Sequence, residues 1–210
     1  MSHVSIFWFR RDLRISDNPA LLAALAEGDE VLPIFIVDQA ISDRAGTFRR
    51  SYLASALKNL DKALAGNLQV FNGDAVEILQ KLTKKYNATS IHCAKQYAPY
   101  GVALEKRISE SGINLNFTGC DYAVDPGKVR KPDGTPYKVY TPFFKAWSAI
   151  GWERPYNAPK SPKWANAKDS ERYFPDWDLK EKTQTFEVGT EVAIQKWNKF
   201  FKEPINSYNH

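Results

Sequence analysis

The sequence predicts an α/β fold: a doubly wound, five-stranded parallel sheet of Rossmann-like type, followed by an extended carboxyl-terminal linker and one helix. Three observations carry this expectation. Short apolar runs alternate with helical periodicities from Val4 to Thr118, the pattern of βαβ units. The connections between them are short, which favours right-handed crossovers onto one sheet. The first run, Val4-Ser5-Ile6-Phe7-Trp8-Phe9, is almost continuously apolar, as expected of a parallel strand covered on both faces.

The elements follow in order. After the first strand, Asn18 supplies a helix cap and Pro19 a preorganised first helical residue. Val31 to Val37 reads as the second strand. Pro33 is a departure there, because proline cannot donate to a central ladder, and it puts the strand's first half in question. Phe48 to Leu64 carries Tyr52, Leu53, Ala56, Leu57, Leu60 and Leu64 at helical spacing. Leu68 to Phe71 is a short strand, Val76 to Tyr86 a helix, Ser90 to Cys93 a strand, Val102 to Ser111 a helix and Leu115 to Thr118 the fifth strand.

From Ile150 to Phe186 the periodicity stops, and Pro155, Pro159, Pro162 and Pro175 alternate with Trp152, Trp164 and Trp177. Aromatic residues are costly to leave in water, so this stretch is expected to lie along the domain as an ordered strap. After Thr190 a last amphipathic helix presents Ala193, Ile194, Trp197, Phe200 and Phe201 on one face. The expected division is a domain at 1–149, a linker strap at 150–189 and the start of a further helical domain at 190–210.

Composition narrows the function classes. A chain of 210 residues with 43% hydrophobic content can bury one substantial core. The amino-terminal apolar run ends at Arg10 and Arg11, too short for a secretory signal or a membrane span, so a cytoplasmic protein with no membrane partner is expected. Cys93 and Cys120 are too few for a disulfide framework, and His3, His92 and His210 lack ligand spacing, so no metal site is expected. His92, in an apolar strand, is read as a neutral core histidine, and no nucleophile–base arrangement accompanies it. The net charge of +5 is uneven: Lys128 to Lys168 holds nine basic residues against Asp133 and Glu153, while the rest has 20 basic and 22 acidic. That excess is either a solvated linker or a footprint for phosphates.

Two motifs then point further. The segment Trp8 to Leu21, with Phe9, Arg10, Asp12, Leu13, Arg14, Asp17 and Asn18, resembles the opening of the DNA photolyase and cryptochrome family. Gly127 to Trp147 (GKVRKPDGTPYKVYTPFFKAW) resembles the family's segment with a Gly-x-Pro-Tyr turn before a Thr-Pro-Phe helix start. Leu68 to Asp74 and Tyr97 to Gly101 fall where the family has a strand ending in Gly-Asp and a Pro-Tyr-Gly loop. The resemblance implies the family's amino-terminal α/β domain, which holds an antenna chromophore, commonly a folate or a deazaflavin. Flavin adenine dinucleotide (FAD) belongs to the family's carboxyl-terminal helical domain, which the chain is expected to lack, so no catalytic residue is assigned and the chain alone is expected to be inactive.

A pigment needs an apolar slot with a few hydrogen-bonding groups at the strand ends. The candidate cofactor-binding residues are Phe9, Arg10, Arg11, Phe35, Asp38, Arg50, Leu53, Tyr97, Tyr100 and Gly101. Val102, Ala103 and Leu104 after the Pro-Tyr-Gly loop match neither the deazaflavin-type nor the folate-type pattern, which leaves the pigment's identity open. Arg10, Arg11 and Arg14 beside Asp12 and Asp17 also read as a structural ion-pair network with Asp12 as its pin, and the tryptophans as packing anchors. The leading function is the light-harvesting domain of a deoxyribodipyrimidine photolyase, partnered by the helical flavin domain and touching DNA weakly through Lys128–Lys168. A cryptochrome photoreceptor domain shares the motifs. A Rossmann-like nucleotide-binding module is weaker, since neither G-x-G-x-x-G nor G-x-x-x-x-G-K-[ST] occurs.

Overall fold

The computed structural model describes residues 3–167, 172–177 and 187–202. Five strands, β1 (Val4–Phe9), β2 (Glu30–Val37), β3 (Gln69–Asn72), β4 (Ser90–Lys95) and β5 (Leu115–Cys120), form one parallel sheet in the order β3-β2-β1-β4-β5. The helices are α1 (Pro19–Glu27), α2 (Gln39–Ser42), α3 (Thr47–Ala63), α4 (Ala75–Tyr86), α5 (Pro99–Glu110), α6 (Tyr140–Ile150) and α7 (Thr190–Lys202). The chain winds outward from β1 through β2 to β3, then returns to the other side for β4 and β5. The winding reverses between β1 and β4, the place where doubly wound sheets open a crevice at their carboxyl ends.

Strand alternation builds two cores. Ile6, Trp8, Leu32, Ile34 and Ile36 face Leu79, Leu82, Leu104 and Ile108 from α4 and α5. Phe7, Phe9, Val31, Phe35 and Val37 face Leu21, Ala24, Leu57 and Leu60 from α1 and α3. Phe7 and Phe9 are completely buried and meet edge to face at 4.5 Å between ring centroids; each contributes roughly 1.5–3 kcal/mol through burial alone.

Pro33 does not interrupt β2, and the register shows why. Val31 takes a hydrogen bond from Ala165 N–H at 2.8 Å and gives its own N–H to Lys163 at 2.9 Å. Alternation sends Pro33 to the same edge as Val31, whereas pairing with β3 begins only at Ile34 opposite Gln69. The missing donor therefore falls in the gap between the Trp164 bridge and the start of β3. At Gly119 of β5, φ is +70° and an added Cβ would come within 2.7 Å of Pro19 Cγ, so glycine lets the strand end pass the start of α1.

The strap is ordered where it is described. Asp17 N–H donates to Tyr156 O at 2.7 Å, Tyr173 N–H to Val70 O at 2.7 Å and Arg172 Nε to Leu68 O at 2.9 Å. Trp164, Phe174 and Trp177 pack against the α1 and α3 core. Residues 168–171, with Lys168 of the basic stretch, and 178–186 of the strap lie outside the described residues, as do 203–210 of the terminal segment. Helices α6 and α7 bury none of their residues. The sequence left open whether the apolar face of α7 belongs to this domain; Ile194, Trp197 and Phe201 are 54–59% exposed.

His92 sits beneath α1, with Nε2 3.0 Å from Glu27 Oε2 and 3.2 Å from Ser90 Oγ, which meets Ser5 Oγ at 2.8 Å. Its Nδ1 is buried without a partner among the described residues. Burial pushes the imidazole below its ordinary value, against the opposing pull of the Glu27 carboxylate, in keeping with a neutral core histidine. The native state then binds fewer protons at His92 than the unfolded chain. The associated stability is complete above the unfolded value of about 6.5 and is lost as pH falls through the depressed folded value. Urea unfolding between pH 7.5 and 5 is expected to show a larger fall in midpoint for the native sequence than for His92→Gln. Equal slopes would remove His92 from the linkage.

Candidate functional site

The turn between β1 and α1 is organised by hydrogen bonds around a buried carboxylate. Asp12, 5% exposed, accepts from Arg10 N–H at 3.1 Å and from Asn18 Nδ2 at 3.1 Å. Asn18 in turn caps α1 by accepting from Leu21 N–H at 3.1 Å and donates to Arg14 O at 3.0 Å. Asp12 is thus the pin of the loop, but it holds amide groups. The arginines find other carboxylates: Arg10 pairs with Glu105 at 2.6 Å, Arg11 with Asp121 at 3.8 Å and Arg14 with Asp17 at 3.5 Å. The last two pairs are largely exposed and contribute little.

Arg10 differs from its neighbours. Its side chain is only 5% exposed, its guanidinium lies 4.7 Å from the Trp8 ring centroid, and Glu105 Oε1 also accepts from Gln96 N–H at 3.1 Å. One carboxylate on α5 therefore fixes both the arginine after β1 and the backbone after β4. Arg10 Nη2 remains buried without a partner among the described residues. Cys93 lies 4.0 Å from Arg10 Nη1, yet burial raises its thiol to about 12, which makes it an inert core group.

These groups border a cleft of about 640 Å³ at the carboxyl ends of β1 and β2, walled by α2, α3 and the start of α5. Nine of the ten residues singled out from the sequence line it: Phe9, Arg10, Arg11, Phe35, Asp38, Arg50, Leu53, Tyr100 and Gly101. Tyr97 does not. Its hydroxyl donates to Asp125 Oδ1, which also takes Gly127 N–H at 2.7 Å, and its ring meets Tyr122 at 6.1 Å, so it anchors the loop after β5. Burial and the Asp125 contact raise the Tyr97 phenol to about 12. Across the cleft, the Tyr100 hydroxyl donates to Asp38 Oδ2, while Asp38 Oδ1 caps α2 by accepting from Ala40 N–H at 2.9 Å. Burial and Asp38 push the Tyr100 phenol up to about 12, so it stays protonated and keeps donating.

Among the lining residues that sequence reasoning missed are Arg44, Arg49 and Trp177. The arginines stand in the run Asp43-Arg44-Ala45-Gly46-Thr47-Phe48-Arg49-Arg50 at the start of α3, a visible cluster of charge that periodicity alone does not place. Trp177 is brought in by the strap, whose path no local pattern encodes. Arg50 Nε is buried without a partner among the described residues. Among the described residues, no group of three His, Cys, Asp or Glu side chains gathers to hold a metal ion, and no helix is long and apolar enough to cross a membrane.

Gly101 has an ordinary helical backbone, but a Cβ there would lie 2.2 Å from Gln96 Oε1 and 2.8 Å from Gln96 Cβ. Alanine is otherwise the better helix former by about 1 kcal/mol. Gly101→Ala is nevertheless expected to destabilise by about 1–3 kcal/mol in urea unfolding, because the Gln96 backbone is held by Glu105 and cannot yield freely. A neutral or stabilised variant would show that the loop after β4 gives way.

Comparison with known proteins places this geometry. The family described as DNA photolyase matches residues 5–163. The deoxyribodipyrimidine photo-lyase of Agrobacterium fabrum is 30% identical over 222 residues, covering 97% of this chain and 46% of that protein. The solved bacterial class III photolyase of Agrobacterium tumefaciens superposes with a TM-score of 0.82 at 27% identity, covering 96% of this chain and 45% of its own. An archaeal photolyase from Sulfolobus tokodaii, solved with two FAD molecules, shares the fold with a TM-score of 0.66 at 24% identity, covering 80% of this chain and 40% of its own. The chain thus spans about half the length of the first curated relative it matches.

Proposed function

The chain belongs to the DNA photolyase family and has the fold of its amino-terminal α/β domain, and we propose that it serves as the light-harvesting domain of a deoxyribodipyrimidine photolyase. The observation that carries this reading is the cleft at the ends of β1 and β2. It is mainly apolar, has the volume of a cofactor site, and counts Arg10, Arg50 and Tyr100 among its polar lining. Those features fit a planar conjugated pigment with a few polar edges, of the folate or deazaflavin kind. Such a pigment absorbs light and passes excitation to FAD in the helical domain of a full-length enzyme, where electron transfer splits the dimer. This chain's part is to hold the pigment in a fixed orientation away from water: Phe9, Phe35 and Leu53 supply apolar wall, Arg10 and Tyr100 supply donors, and Glu105 keeps Arg10 in place.

We assign residues 1–149 to that domain, 150–189 to the linker and 190–210 to the start of the helical domain. The bare aromatic faces support this division. Tyr140, Phe144, Trp147 and Trp152 form a run of neighbouring rings 5.1–6.1 Å apart, and Trp197 meets Phe200 and Phe201 at 6.4 and 6.1 Å, all on α6 and α7, which bury nothing here, except Trp152 just after α6. Exposed apolar surface of this extent marks an interaction face, and we read it as the seat of the helical flavin domain.

Titration of the chain with a methenyl folate and with a hydroxylated deazaflavin, followed by fluorescence, tests the cleft. Arg10→Gln and Trp177→Ala are each expected to weaken binding about tenfold, the loss of one good polar or stacking contact, while Tyr97→Phe leaves it unchanged. Binding insensitive to both cleft variants would move the pigment elsewhere. For DNA, the proposal limits this domain to salt-sensitive contact through Lys128, Arg130, Lys138 and their neighbours, with no preference for damaged sites. With a log–log slope of roughly −0.9 per phosphate contact, three contacts lose more than tenfold in affinity between about 50 and 200 mM salt. A preference for ultraviolet-irradiated duplex in competition would overturn that limit.

A further inference from the structure

Among the described residues, the strap reaches the cleft at Trp177 alone: every other wall position lies between Trp8 and Leu104. Five positions before Trp177 stands Arg172, which is not part of the wall, and three contacts hold its side chain. Its Nη2 pairs with Asp61 Oδ1 at 2.5 Å, its Nε donates to Leu68 O at 2.9 Å, and its guanidinium lies 5.0 Å from the Phe174 ring centroid. Asp61 Oδ1 also accepts from Leu68 N–H at 3.0 Å, so the clamp is fastened to the end of α3 and the start of β3 together. Tyr173 N–H adds a bond to Val70 O at 2.7 Å, and β3 is an edge strand of the sheet. Pro175 is buried, and Phe174 and Trp177 pack against the α1 and α3 core. A proline fixes its own φ and restricts the residue before it, so little freedom separates the clamp from Trp177.

We propose that Arg172 is a positioning residue for the cleft: its clamp on Asp61 and Leu68 sets Trp177 into the wall, so that docking of the linker and completion of the cleft are one event. The inference rests on the reading of the cleft as a pigment site and adds a control to it. Arg172 touches no occupant and acts through Trp177. A guest that contacts Trp177 meets it only in the docked state, so its apparent affinity falls with the docked fraction. By reciprocity, an occupant holds the linker down by the same factor. Were the clamp only a mooring for the strap, Arg172 and Trp177 would contribute independently.

Arg172→Gln, Trp177→Ala and the double variant separate the two cases, with a methenyl folate and a hydroxylated deazaflavin as probes. Arg172→Gln is expected to weaken binding by about three- to tenfold, up to the loss that Trp177→Ala produces, as a docked fraction of about one third to one tenth requires. The double variant is expected to bind no more weakly than Trp177→Ala alone, the non-additivity of two groups that act through one contact. Additive losses, or unchanged affinity in Arg172→Gln, would overturn the positioning role and leave the pigment reading standing. Two further measurements need no ligand. Hydrogen exchange of the Tyr173 amide is expected to quicken in Trp177→Ala while that of Ile6 in the core does not. In fluorotryptophan-labelled protein, Arg172→Gln is expected to shift the resonance assigned to Trp177 by its loss in Trp177→Phe. If both hold and neither pigment binds, the link between clamp and cleft wall stands and the light-harvesting reading fails. If either the Tyr173 amide or the Trp177 resonance stays as it is in the native sequence, the two residues are independent and the proposal is refuted.

Discussion

Everything at the functional end of this molecule depends on how the chain leaves β1. A strand covered on both faces must turn away from the sheet within a few residues and begin α1, and the turn is fixed by one buried carboxylate. Asp12 binds the amide of Arg10 behind it and the carboxamide of Asn18 ahead, and Asn18 caps the helix. Removing that carboxylate leaves two buried donors unmet, at about 1–3 kcal/mol each. With the turn set, Arg10 points inward to Glu105 on α5 while Asp17, at φ +49°, meets the strap at Tyr156. The same turn therefore orients the cleft's most buried charge and moors the linker.

Much of the fold was legible because it rests on local rules. The continuous apolar strands, the Asn18-Pro19 start of α1 and the helical spacing in α3 each name their own element, and the sheet follows from their alternation. The short helix α2, with one turn and an Asp38 cap, has too few residues for a periodicity and went unread. Pro33 shows the opposite limit. The rule that proline weakens a central strand is sound, but it applies only where a partner strand waits for the donor, and β3 begins one residue too late to do so. Register between distant segments decides that, and register is not written in the neighbours of Pro33.

The candidate site divides in the same way. Residues at strand ends were found because topology carries strand ends to one rim, which brings Phe9, Phe35 and Asp38 together across nearly thirty positions of sequence. Tyr97 also follows a strand, but two residues from the helix start it turns to Asp125, while Tyr100, one turn further on, faces the cleft. The expected Arg14–Asp17 pair forms, but the partners of Arg10 and Arg11 were illegible for a related reason. Arg10 stands beside Asp12 in sequence and takes Glu105, 95 positions away, because the turn spends the aspartate on amides. Charge adjacency along a chain is a poor guide to pairing when the backbone between two groups has its own donors to satisfy.

The remaining surface argues that this domain is built to be one part of a larger whole. Both faces of the sheet are covered at β1, β2 and β4, while β5 buries none of its residues, and the two cores contain no residue of α6 or α7. Eleven residues of α6 with none buried gain little from helix propensity, since isolated helices shorter than about 12–15 residues are marginal in water. Its aromatic rings, Tyr140, Phe144 and Trp147, stack one on the next and continue to Trp152 just beyond it. The cleft and the aromatic ladder thus ask for different things. The cleft is mainly apolar with a few polar groups and suits a small planar guest, whereas the ladder is extended and exposed and suits a protein surface. The proposed function joins the two: a pigment held in the cleft and a second domain seated on the aromatic side chains would have the layout that passing excitation across an interface requires.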